Sequence, residues 1–129
     1  MKIHITLAAL VLAAAGLHAP LAAQEPDLDC RDPRTQVEMN LCAVRDFDAA
    51  DAEMNRVYTR LRAALDAEER PRLVEVQRAW LRFRDLQCAF ESADFEGGSM
   101  RPFLHSSCMA GLTTERTRQL AAMLKEKGG

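Results

Sequence analysis

Between Thr35 and Leu65 the chain has no Gly or Pro, and apolar residues return every three or four positions: Val37, Leu41, Val44, Phe47, Ala50, Met54, Val57, Tyr58, Leu61 and Leu65. That spacing draws one stripe along a helix. Thr35 followed three residues later by Glu38 is a capping box, so a first helix is predicted over about 36–65. Asp66 and Glu69 repeat the start signal. Behind them Leu73, Val76, Gln77, Trp80, Phe83 or Arg84, and Phe90 predict a second helix reaching about residue 91. Pro71 fits badly there, because its ring displaces the carbonyl four residues back, so a start at Arg70 or a distorted first turn is expected. Residues 92–105 contain Gly97-Gly98-Ser99 and Pro102 and read as the only substantial loop. A last amphipathic helix then follows Ser106 or Ser107 through Met109, Leu112, Arg116, Leu120, Met123 and Leu124, weakened by Gly111 and ended by Gly128-Gly129.

The first 23 residues differ in kind. They hold one Lys, no acidic residue, and an apolar run from Ile5 to Leu17 that closes on Pro20-Leu21-Ala22-Ala23. This is the pattern of a secretory signal peptide, and the run is too short and too interrupted, by Gly16, His18 and Pro20, for a membrane span. The expected organisation is a signal peptide over 1–23 and one helical domain over 24–129. The product is expected to be periplasmic or secreted, with no stable membrane insertion after cleavage. No Cys follows the apolar run closely enough to carry a lipid; Cys30 lies behind Asp27-Leu28-Asp29.

Removing Lys2 with the leader takes the formal charge from −2 to −3, which gives no reason to expect a nucleic-acid partner. All four cysteines, Cys30, Cys42, Cys88 and Cys108, fall in the exported part and are expected to form two disulfides. Three pairings are open. The intervals between these thiols lack the close ligand pairs of a zinc site, so no metal and no cofactor is expected. The fold expected is all-α, a three-helix antiparallel bundle stapled by two disulfides.

Two groups of residues invite a chemical reading. Asp51, Asn55 and Tyr58 share one line of the first helix; Gln77, Trp80, Arg84 and Cys88 share one line of the second. Folding back at residues 66–70 sets Tyr58 level with Trp80, and Asp51 level with Arg84 or Asp85. Such groups are tolerated in an interior when paired, so the expected role is a structural polar ladder that fixes helix register. The rival reading is a cleft in which Asp51 and Asp85 act as acid and base in hydrolysis, but an Arg beside Asp51 favours ion pairing over proton donation. His105, with Ser106 and Ser107 beside it, gives no geometry for a triad. The protein is therefore not expected to be an enzyme.

The second group is the candidate partner-binding segment, Phe95, Gly97, Gly98, Ser99, Met100, Arg101 and Phe103. Together with Phe90 and Leu104 it sets apolar side chains on and beside a Gly-Gly loop, where they either pack beneath the loop or anchor a partner.

The ordered motifs Cys30, Thr35-Gln36-x-Glu38-Met39-Asn40-x-Cys42, Ala50-Asp51-x-x-Met54-Asn55-x-x-Tyr58, Gln77-x-x-Trp80-x-x-x-Arg84-Asp85-x-x-Cys88, Gly97-Gly98-Ser99, Cys108 and Leu112-Thr113-x-x-Arg116 resemble the small exported domain of LprI-type lysozyme inhibitors, from Cys30 to about Leu120. The resemblance implies a binding module with a protein partner, lysozyme being the candidate, and supplies no catalytic residues. A structural or chaperone-like envelope protein, binding another exported protein or peptidoglycan without inhibiting anything, is the alternative.

Overall fold

A computed structural model describes residues 28–128; the expected signal peptide lies outside them. The described residues are helical without strands: α1 (Gln36–Ala64), α2 (Glu69–Glu91) and α3 (Arg101–Glu126), with a short 3-10 turn at Ala93–Phe95. Two disulfides, Cys30–Cys42 and Cys88–Cys108, staple the bundle and settle the open pairing. The chain runs up, down and up. The Asn40 amide near the start of α1 donates to the Ser99 carbonyl just before α3, and Lys127 after α3 pairs with Glu69 at the start of α2. α3 lies along α1 over most of its length and less extensively on α2.

Both helix starts that the sequence signals are closed by side chains. The Thr35 hydroxyl accepts the Glu38 amide at 3.1 Å, and the Glu38 carboxylate accepts the Thr35 amide at 3.0 Å. At the second start Asp66 accepts the amides of Glu68 and Glu69, while the Glu69 carboxylate accepts the Asp66 amide. α2 begins at Glu69, one residue ahead of the Arg70 start, which leaves Pro71 in the first turn where its missing N–H has no helical acceptor.

These caps carry charge, and so they respond to acid. Lys127 and then the Asp66 amide hold Glu69 below the usual carboxylate range, and the Glu69 amide does the same for Asp66. A carboxylate lowered by folding adds stability above its unfolded pKa and loses it as the pH falls through the folded one. Amide exchange at residues 66–70, corrected for intrinsic rates, is therefore expected to speed up as the pH drops below the ordinary carboxylate range, and Glu69→Gln is expected to flatten that response. A response unchanged in Glu69→Gln would contradict it.

α3 starts at Arg101, not at Ser106 or Ser107, so the expected 92–105 loop shortens to 92–100. Pro102 belongs to the first helical turn, where its fixed φ suits the helix and no N–H is required. Arg101 and Phe103 are thus helical residues.

The apolar cluster is Met54, Val57, Leu61, Leu65, Leu73, Leu120 and Leu124, with Tyr58, Trp80 and Leu81 packed against it. It fills the half of the bundle that holds the end of α1, the start of α2 and the end of α3. In the other half the predicted stripes turn outward: Val37, Leu41 and Val44 are exposed, and Cys42 and Ala43 are buried in their place. On α2, Leu73, Gln77, Arg84 and Cys88 face inward while Val76, Phe83 and Phe90 face solvent. Cys88, bonded to Cys108 and fully buried, fixes that rotation, since the outward set lies roughly a third of a turn from the line through Cys88.

Candidate partner-binding surface and the buried polar row

Where the apolar cluster ends, a row of polar side chains takes over the interior. Arg84 is 7% exposed and donates to Asp51 of α1 at 3.2 Å and to the fully buried Thr113 hydroxyl of α3 at 3.2 Å. Its Nε reaches Asp85 at 3.0 Å. The two carboxylates therefore share one guanidinium, as an ion-paired cluster and not as a free acid and base. Asp51 also accepts the Asn55 amide at 2.9 Å. Two helical turns earlier on α2, Gln77 accepts from the Arg116 Nε at 3.0 Å and donates to the Met54 sulfur at 3.4 Å.

Trp80 lies beside both cations, with the Arg84 guanidinium 5.5 Å and the Arg116 guanidinium 5.8 Å from its ring centre. Phe47 of α1 meets Arg84 at 5.2 Å. A weakly hydrated guanidinium tolerates such surroundings, where ring faces replace part of its lost water. Burial nevertheless pushes the Arg116 guanidinium below its ordinary pKa. Tyr58 packs on the apolar cluster.

Thr113, Arg116 and Phe47 join this row although the sequence reading of the ladder contained only residues of the first two helices. The signal that places the α3 pair is its helical spacing with buried neighbours: Met109, Thr113, Arg116, Leu120 and Leu124 form one inward line.

The candidate binding segment lies at the end of the bundle that holds both disulfides. The Ser92 hydroxyl donates to the Cys88 carbonyl and closes α2. Gly97 takes φ +76°, a backbone conformation that favours glycine. A Cβ on Gly98 would stand 3.1 Å from the Phe95 carbonyl oxygen, so the turn is built around both glycines. The Ser99 carbonyl is held from α1 by Asn40, and Arg101 meets Glu96 at 3.8 Å. Phe95 and Met100 emerge exposed from this frame, while Arg101, Phe103 and Leu104 are half-buried in the first turn of α3. His105 and Ser106 are half-buried in the following turn. Among the described residues no group of three His, Cys, Asp or Glu side chains could hold a metal, and no helix is long and apolar enough to cross a membrane.

Residues 30–120 match the family described as Lysozyme inhibitor LprI, a span that begins at the first disulfide cysteine and ends in α3. An uncharacterised protein of Rhizobium meliloti (strain 1021) is 38% identical over 120 residues, covering 83% of this chain and 86% of its own. No solved structure matches. With residues 30–120 matched and all four cysteines of that span paired in two disulfides, the chain belongs to the LprI lysozyme-inhibitor family.

Proposed function

We propose that the protein is an exported binding module that inhibits a lysozyme-like muramidase by contact, presenting the 95–100 turn to the enzyme. The observation that carries this reading is the pair Phe95 and Met100, exposed on a turn whose backbone is fixed from three sides by Gly97-Gly98, by Asn40 and by the Cys88–Cys108 staple. Apolar anchors held in place before binding spare the ordering cost that a mobile loop would incur. Glu91, Asp94 and Glu96 are exposed beside the anchors in sequence and outnumber Arg101, which meets Glu96, so the segment is net acidic, which suits a basic enzyme and steers encounter at low salt. The polar row acts as the register lock behind this surface, not as a catalytic site.

The test is protection of a cell-wall suspension from lysozyme, followed by turbidity. Phe95→Ala/Met100→Ala is expected to weaken protection at least about tenfold, as loss of an interface hot spot does, with the helical circular dichroism unchanged. Protection is also expected to fall as salt rises. Full protection by the double variant would remove the turn from the interface. Binding to cell-wall material with no effect on lysis would favour the envelope-protein alternative.

A further inference from the structure

Because α1 and α2 lean on α3 more than on each other, a groove runs between them. It holds two cavities, of about 580 and 310 Å³, which share Arg62, Val74 and Arg78 and so form one depression. The first is walled by Arg62 of α1 and by Arg70, Glu75 and Arg78 of α2. The second is walled by Asn55 and Tyr58 of α1 and by Gln77 and Leu81 of α2. Both lie in the half of the bundle away from the 95–100 turn.

The first cavity is basic in a chain of net charge −2. Arg31, Arg34, Arg56 and Arg118 each hold a carboxylate elsewhere on the surface, whereas the three arginines of the groove hold none. Arg62 and Arg78 are exposed and unpaired among the described residues, and Arg70 engages only its Nε, which donates to the Leu65 carbonyl at 2.9 Å. Glu75, the acid on this wall, pairs with none of them. A further cation stands behind the second cavity. Gln77 accepts from the Arg116 Nε there, and Arg116, which is 5% exposed, has no carboxylate partner and keeps a buried Nη2 without an acceptor. A cleft lined by one sign of charge concentrates ions of the other.

The neutral part of the groove bears on what the anion is attached to. Tyr58 is half-buried and its hydroxyl has no partner; Asn55 donates to Asp51 and leaves its carbonyl oxygen free. Val74 and Leu81 set apolar surface between these polar groups. Donors and acceptors beside apolar patches match the hydroxyl edges and C–H faces of a sugar ring, and guanidinium forks match carboxylate or phosphate oxygens. We propose that the groove between α1 and α2 binds an anionic sugar, its carboxylate or phosphate held by Arg62, Arg70 and Arg78 and its hydroxyls by Tyr58 and Asn55.

Heteronuclear NMR of the disulfide-bonded protein, titrated with glucuronic acid, with glucose-6-phosphate and with glucose, tests this with no enzyme present. The expected result is a saturable shift of the Arg62, Arg70 and Arg78 Nε–H signals and of the Tyr58 amide with at least one of the two anionic sugars at low millimolar concentration, and none with glucose. Which of the two binds tells carboxylate from phosphate. Arg62→Gln/Arg78→Gln is expected to weaken binding at least about tenfold, as loss of a charged hydrogen-bonding partner does, with unchanged helical circular dichroism because both side chains are exposed. Phe95→Ala/Met100→Ala is expected to leave the binding as it was, which separates this site from the turn proposed for the enzyme. No saturable shift with either anionic sugar overturns the proposal, as does equal binding of glucose or binding that survives Arg62→Gln/Arg78→Gln. Acetate or inorganic phosphate binding as tightly as the sugars would mean that the neutral half of the groove contributes nothing, and overturns the sugar assignment.

Discussion

Arg84→Ala is expected to lower the free energy of unfolding by about 3 kcal/mol, the low end of what breaking a buried ion pair costs. The low end applies because the Asp51 and Asp85 side chains remain 36% and 60% exposed and keep part of their hydration. What the variant strands is the Thr113 hydroxyl, fully buried and deprived of its Arg84 donor, together with the Asp51 carboxylate that faced the guanidinium. It also opens a gap beside Phe47 and Trp80, which lose the cation packed on their rings. Asp85→Ala removes only an exposed neighbour and is expected to cost less than about 1 kcal/mol. Urea unfolding followed by the fluorescence of Trp80, the only Trp in the chain, measures both. Equal losses in the two variants would mean that the contact between α1, α2 and α3 through Arg84 is not what holds their register.

The second large effect is that of the Cys88–Cys108 bond. Replacing both cysteines by Ala is expected to cost about 3 kcal/mol, from the chain entropy released when a loop of this size opens. The cost falls on the whole fold, because Cys88 is in the interior and ties the end of α2 to α3 in the half of the bundle where Val37, Leu41, Val44, Phe83 and Phe90 are left in solvent. In that half the covalent link substitutes for a larger apolar core. The Cys30–Cys42 bond closes a shorter loop onto an exposed segment ahead of α1, which can fray in the folded protein and recover its entropy. Replacing that pair by Ala is expected to cost less. Parallel urea titrations of the two double variants give the comparison, and a larger loss for the Cys30–Cys42 pair would contradict it.

These two features differ in how far they could be read from sequence. The helix starts at Thr35 and Asp66 are local signals, and the caps they announce form as written. The level at which Asp51 meets Arg84 follows from a tight return at residues 66–70. The pairing of cysteines does not, because it depends on the rotation of each helix about its own axis. On α2 two lines compete, one through Leu73, Gln77, Arg84 and Cys88 and one through Val76, Phe83 and Phe90, and the second is the more apolar. Burial of apolar area alone favours the wrong line; the partners available to Arg84 on α1 and α3, and the bond from Cys88, reverse the choice. The start of α3 was hidden for a related reason, since Pro102 suits a loop and a first helical turn equally well.

The candidate binding segment was visible in sequence as a Gly-Gly turn with apolar neighbours, but not which of those neighbours emerge. That depends on α3 beginning at Arg101, which draws Phe103 and Leu104 towards the bundle and leaves Phe95 and Met100 outside. The surface proposed for the partner is thus smaller than the apolar composition of the segment suggests.

The most direct measurement of the account's central claim is a titration of lysozyme with the disulfide-bonded protein, reading the lysis rate of a cell-wall suspension at a fixed enzyme concentration. The predicted result is a dose-dependent fall to a plateau reached near one binding site per enzyme molecule, at low and at moderate salt. An unchanged lysis rate across several lysozyme types, with the protein folded and both disulfides intact, would contradict it.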